Sequence, residues 1–228
     1  MKEKPIIFTA ESVNAIRDRR KTQTRRVMKI QPEFRDGVYY WPTEADIAAY
    51  GTSAAELNQS IFRYAPYKVG DRLWVRETWQ HYGWNEDGIP FIQYAADNAK
   101  RMIEEIPEDW EERLQNTWAD LSDPKNYGID GRAADQNWRS PIFMPRWASR
   151  ITLEVTAVRV ERLQDISIKD VNAEGVTDPQ SLSDPPSDTG RPIEWFSAAW
   201  DKLNGKRAPW KSNSWVWVIE FKMLEVNQ

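Results

Sequence analysis

Arg20-Lys21-Thr22-Gln23-Thr24-Arg25-Arg26 is the stretch on which the reading of this chain turns. Upstream lies Ile6-Ile7-Phe8, short, apolar and β-prone, and then Thr9, an N-cap residue, with Ala10, Val13 and Ile16 on one helical stripe. The pattern therefore predicts strand, helix to about Arg19, then a basic loop. From Arg17 to Lys29 there are seven basic residues and one acid, Asp18, a local net of +6 in a chain of net charge -4. That overall balance argues against non-specific coating of nucleic acid, and any such partner must be met locally.

Composition narrows the chemistry. At 228 residues the chain is read as one elaborated domain. It has no cysteine, which excludes thiol nucleophiles, disulfides and thiolate zinc sites, and with one histidine any Ser-His-Asp triad or histidine-bearing metal site would have to be built around His81. His81 itself reads as an ordinary residue of an aromatic turn, Trp79 to Trp84. No metal and no cofactor is expected. The N-terminal apolar run is too brief for a signal segment or a membrane span, so a cytoplasmic protein without membrane contact is expected. Thirteen tryptophans serve equally for cores and for stacking platforms.

Working outward, residues of about 31–66 show little period and read as an insertion with a short helix near Thr43 to Tyr50. Val69-Gly70-Asp71-Arg72-Leu73-Trp74-Val75-Arg76-Glu77 is a Gly-Asp turn feeding a strand. A second insertion, about 80–140, carries a strand at Phe91 to Tyr94 and a helix from Asp97 into the 110s, interrupted by Pro107. Strand pattern returns at Ile151 to Thr156, with a bulge expected between Ala157 and Val158. Ser167-Ile168-Lys169-Asp170 starts a short helix in capping-box style, Gly175 stops it, and Glu174 stands at its end. Residues 178–192 read as a mobile loop, Glu194 to Leu203 as an amphipathic helix, and Trp215 to Met223 as the clearest strand.

Three of these pieces together resemble the ASCH domain of the PUA-like superfamily: Arg20 to Arg26, Val69-Gly70-Asp71-Arg72-Leu73, and Ala173-Glu174-Gly175 after a short helix. The closing strand Val218-Ile219-Glu220-Phe221 is similar too. The resemblance covers about half of the chain and is nearest to the longer ASCH proteins of bacteriophages and prophages. It implies an α+β, PUA-like mixed β-barrel with short helices and two long insertions. It also implies a site: in the smallest bacterial members the Lys and Thr of this loop and the Glu after the helix hydrolyse the amide of N(4)-acetylcytidine. Those roles fall on Lys21, Thr24 and Glu174. The chain departs from these members in its insertions and in Arg25. Other ASCH proteins bind or cleave RNA, so the implied partner is a modified nucleoside or single-stranded RNA.

The residues themselves allow such chemistry. Without Cys, a hydrolase must use a hydroxyl or water as nucleophile, with Lys, Asp or Glu as acid and base. Crowding by Arg20, Arg25 and Arg26 would lower the Lys21 pKa, letting its amine take the Thr24 proton, with cationic donors at hand for an oxyanion. Glu174 would protonate the departing amine or bind the cytosine edge. The same residues also read as a solvated basic loop, a structural threonine and a surface glutamate. Binding is assigned to Arg20, Arg25 and Arg26, to Trp74 and Arg76 on the strand after the Gly-Asp turn, and to Trp138, Arg146 and Trp147 as stacking and cationic groups.

Overall fold

A computed structural model describes residues 2–42, 47–49, 52–53, 55–56, 61, 64–122, 138–176 and 191–226. The fold is α+β. Its elements are β1 (Glu3–Ile7), α1 (Ala10–Arg17), β2 (Gln23–Val27), β3 (Glu33–Arg35), β4 (Val38–Pro42), β5 (Ile47–Ala49), β6 (Arg72–Arg76), β7 (Trp79–Trp84), β8 (Pro90–Tyr94), β9 (Lys100–Met102), α2 (Glu108–Ser122), β10 (Ile151–Arg162), α3 (Ile168–Ala173), α4 (Arg191–Asn204) and β11 (Trp215–Val226). The largest sheet has the order β1-β6-β10-β11-β2. It is open, with β1 and β2 at its ends, and so corrects the expected closed barrel, which would require those end strands to pair.

Both insertions fold into small antiparallel sheets, β3-β4-β5 and β7-β8-β9. Two expectations fail inside them. Ile47–Ala49 is a strand rather than part of a helix, while 43–46 and 50 lie outside the described residues. Lys100–Met102 is also a strand, and the helix begins only at Glu108, because Pro107 opens it: the Pro107 carbonyl accepts the Trp110 N–H at 2.8 Å. A proline suits the first turn of a helix and disrupts an interior. His81 lies in β7 rather than in a turn, beside a register shift between His81 and Gly83, whose φ of 139° favours glycine. Of the expected mobile loop, 178–190 is not among the described residues, and Arg191 and Pro192 already belong to α4.

The chain forms two compact units. One comprises Met1–Lys2, Asp18–Arg72 and Glu154–Met223. Here β2 and β11 pair antiparallel with Val216 opposite Val27, Val218 opposite Arg25 and Glu220 opposite Gln23. One face of this ladder supplies Val216 and Val218 to a core with Leu163, Ile166, Val171, Phe196 and Trp200, contributed by the α3 and α4 regions. Burying each such side chain stabilises the fold by roughly 1.5–3 kcal/mol. That core anchors α3, and through it Glu174.

The other unit comprises Glu3–Arg17, Leu73–Leu153 and Leu224–Gln228. Its core joins Trp79, Ile92, Tyr94, Ile103, Met144 and Ala148. Arg150 is buried there but fully engaged: Nε and Nη2 reach the two oxygens of Glu77, each at 2.9 Å, and Nη1 and Nη2 those of Asp97, each at 3.0 Å. Its plane lies 4.0 Å from the centre of the Tyr94 ring. Such pairing is what makes a buried charge tolerable. Among the described residues, no helix is long and apolar enough to cross a membrane.

Candidate active site

The site is assembled at the C-terminal end of α3. Ser167 caps the helix, its hydroxyl accepting the Asp170 N–H at 3.1 Å, while the Asp170 carboxylate accepts the Ser167 N–H at 3.2 Å. This reciprocal capping box fixes where the six-residue helix begins. Glu174 is its C-cap, and Gly175, at φ 75°, takes the left-handed conformation that terminates it.

Against this terminus lies the segment that enters β2. The Thr22 N–H donates to the Ala173 carbonyl at 2.8 Å, and the Phe221 N–H to the Thr22 carbonyl at 2.9 Å, so residues 21 and 174 form an isolated antiparallel bridge. Lys21 Nζ donates to both the Glu174 carbonyl and Glu174 Oε2, each at 2.8 Å. Residues 153 positions apart thus share one buried contact, Lys21 being 5% and Glu174 7% exposed.

Arg25 holds the other oxygen of the same carboxylate. Its Nη1 donates to Glu174 Oε1 at 3.2 Å and its Nη2 to Glu161 Oε2 at 2.9 Å, with Asp170 Oδ2 at 3.6 Å. Arg159 extends the chain of charges, pairing with Glu161, Glu220 and, at 2.8 Å, Asp170 Oδ1. Burial works to raise the Asp170 pKa, but the Ser167 hydrogen bonds and the Arg25 charge outweigh it and hold the carboxyl at about 2.

Burial lowers the Lys21 pKa. Glu174 opposes this by charge and hydrogen bond, and Arg26 and then Arg25 add to the lowering. The expected lowering is therefore present with a different main cause, and Arg20 is no part of it: that side chain is exposed, paired with Asp18 at 2.9 Å and donating to the Gly175 carbonyl at 3.4 Å. Burial also lowers the Arg26 pKa and raises that of Tyr67, each partly offset by the other's charge.

Thr24 is buried on β2, opposite Ile219 of β11. Strand alternation places its side chain with Arg26, on the face away from Gln23 and Arg25. β2 is the end strand of its sheet, and the charges of Arg26 and Arg25 both act on the Lys21 amine. The structure therefore joins Lys21 to Glu174 directly and sets Thr24 on the adjoining strand.

The chain matches no family model, no curated protein and no solved structure.

The remaining expected binding residues divide sharply. Arg25 does not reach for a ligand, because its side chain has 0% exposure and three carboxylate partners. Trp74, Arg76, Trp138, Arg146 and Trp147 all belong to the second unit. Trp74 is buried, with the Arg76 guanidinium 4.5 Å from its ring centre, and Arg76 donates to the Ile142 carbonyl at 3.1 Å. Arg146 pairs with Glu3 at 3.0 Å, and Trp138 is half-buried. Trp147 is half-buried, its ring 6.0 Å from Trp79 and 5.4 Å from Trp110.

Glu161, Asp170, Arg159 and Tyr67 were not legible as site residues. For Arg159 and Glu161 the signal was their two-residue spacing on a strand, which puts both on one face. Among the described residues, no group of three or more acidic or histidine side chains is arranged to hold a metal.

Proposed function

We propose that this chain is an ASCH-type, PUA-like amidohydrolase that removes the acyl group from N(4) of an acylated cytosine nucleoside or a related modified base. The carrying observation is the buried Lys21–Glu174 contact at 2.8 Å, which unites the two charged residues of the resembled site across most of the chain. A buried amine of lowered basicity in contact with a carboxylate is an arrangement that can take up and pass on a proton.

In this reading the Thr24 oxygen attacks the acyl carbon and its proton passes to the Lys21 amine. A C–O bond forms, and collapse of the tetrahedral intermediate breaks the C–N(4) bond. The proton reaches the leaving nitrogen through Glu174, whose Oε2 already accepts from Lys21. Water then releases the acyl group from Thr24 by the reverse relay. Arg26, on the Thr24 face, supplies positive charge for the developing oxyanion. A cytoplasmic location accords with the absence of cysteine.

The test is incubation of the purified protein with N(4)-acetylcytidine and a panel of other N(4)-acyl cytidines, followed by loss of the acyl chromophore. Turnover of at least one member is expected. No turnover of any, together with salt-sensitive RNA binding, would replace this reading with an RNA-binding module or ribonuclease.

A further inference from the structure

We propose that Arg25 is the positioning residue of this site, holding Glu174 Oε1 so that Oε2 stays turned to Lys21; this rests on the amidohydrolase reading above. The two oxygens of Glu174 have separate duties in the observed geometry. Oε1 receives Arg25 Nη1 at 3.2 Å, and Oε2 receives Lys21 Nζ at 2.8 Å. A carboxylate at a helix end is free to rotate about its side-chain bonds unless something fixes one oxygen, and catalytic geometry tolerates only small departures.

Arg25 is itself immobilised. Its side chain has no exposure, and its second nitrogen is held by Glu161 at 2.9 Å beside Asp170 at 3.6 Å. Those two carboxylates are fixed in turn, both by Arg159 and Asp170 also by the α3 cap. The guanidinium plane spans Glu174 and Glu161 at once, as its rigid fork allows and a lysine ammonium on a flexible stem does not. The Phe196 ring, 5.9 Å from the guanidinium, closes its apolar side.

Removing the Arg25 charge has a consequence that mere loss of packing does not. A like charge that lowers the Lys21 pKa disappears, and Glu174, released from one cation, pairs more fully with the other. Both changes raise the affinity of Lys21 for its proton. The basic form of Lys21 then appears only at higher pH.

Arg25→Gln and Arg25→Lys decide the matter, each checked for folding by circular dichroism. Two readouts are taken: the pH profile of N(4)-acetylcytidine turnover, and the titration of Lys21 followed by NMR of lysine labelled at Cε. In Arg25→Gln, kcat is expected to fall about ten- to a hundredfold with KM changed less than about threefold, and both the rate limb and the Lys21 titration move to higher pH. In Arg25→Lys the charge is restored and the limb returns toward wild type, while kcat stays low because a single nitrogen cannot span Glu174 and Glu161 as the two guanidinium nitrogens do. Wild-type kcat in the folded variants, or a Lys21 titration unmoved in every folded neutral variant, overturns the proposal. If the wild-type protein turns over no acyl cytidine, the amidohydrolase reading fails, and the Lys21 titration still decides whether Arg25 sets the state of the pair.

Discussion

The Lys21 amine sits where burial, one carboxylate and two guanidinium groups act on a single proton, and burial wins. A lysine lowered from its ordinary 10.5 becomes a usable base, so kcat/KM should rise with pH through that lowered value and level off above it. Lys21→Arg keeps the charge and the contact with Glu174 but cannot release a proton, and turnover is expected to collapse by about a hundred- to ten-thousandfold with substrate binding largely kept. Steady-state kinetics beside equilibrium binding check this, and an active Lys21→Arg enzyme would remove the base role. His81 offers a test of folding rather than catalysis. Its imidazole is buried against Trp84, ring centres 4.9 Å apart, and burial brings its pKa down to about 4, partly countered by the Gly83 backbone and aided by Arg139. The folded protein resists protonating this ring and the unfolded chain does not. The stability it contributes is therefore complete above 6.5 and drains away as pH falls from there to about 4. Urea midpoints should fall across that window by the equivalent of up to about 3 kcal/mol, and His81→Phe should flatten the decline. An equally steep decline in the variant would assign it to other groups.

At the scale of elements, α3 shows how six residues can decide a site. Its core contact is Val171, and its ends are set by Ser167 and Gly175, so a small loss at the cap is transmitted to Glu174. Ser167→Ala should cost about 1 kcal/mol of stability, as N-cap losses usually do, and should reduce kcat more than KM by loosening Asp170 and the Arg25 fork behind it. Thermal melts and kinetics on the same preparation check both, and a destabilised variant with wild-type kcat would separate the cap from the site. This element was readable because its determinants are local: Ser167, Asp170, Glu174 and Gly175 lie within nine consecutive positions. The strand at Trp215 was readable for the same reason, its apolar run being continuous. What failed depends on partners distant in sequence. Nothing near β1 or β2 says whether these strands pair with one another, so the open sheet could not be told from a barrel. Lys100–Met102 has helix-forming neighbours and becomes a strand only because β8 lies beside it, Phe91 opposite Met102. The surroundings of Trp147 and Arg25 were not legible either, since the groups packed against them, Trp79 and Trp110 for the one and Glu161 and Glu174 for the other, lie far off in sequence.

For the molecule as a whole, the issue is whether the seven cations from Arg17 to Lys29 behave as one basic patch. They do not. Arg17 pairs with Asp97, Arg20 with Asp18, Lys21 with Glu174, and Arg25 with Glu161, Asp170 and Glu174. Each pair removes charge that would otherwise attract phosphate, and the chain beyond the segment is strongly acidic, with 35 acids against 31 bases overall. A surface that gripped four phosphates of a single strand would give a log–log salt slope near -3, and binding would weaken about fiftyfold between 50 and 200 mM salt. An uncharged acyl cytidine held by hydrogen bonds and stacking releases no condensed counterions. Its dissociation constant should therefore change by less than about twofold over the same range. Titration calorimetry with N(4)-acetylcytidine at three salt concentrations measures this, using Lys21→Arg to prevent turnover during the experiment. A slope near zero supports a nucleoside site. A slope of -2 or steeper for single-stranded RNA, with no detectable nucleoside binding, would instead mean that Arg19, Arg20 and Lys29, the exposed members of the segment, form the functional surface.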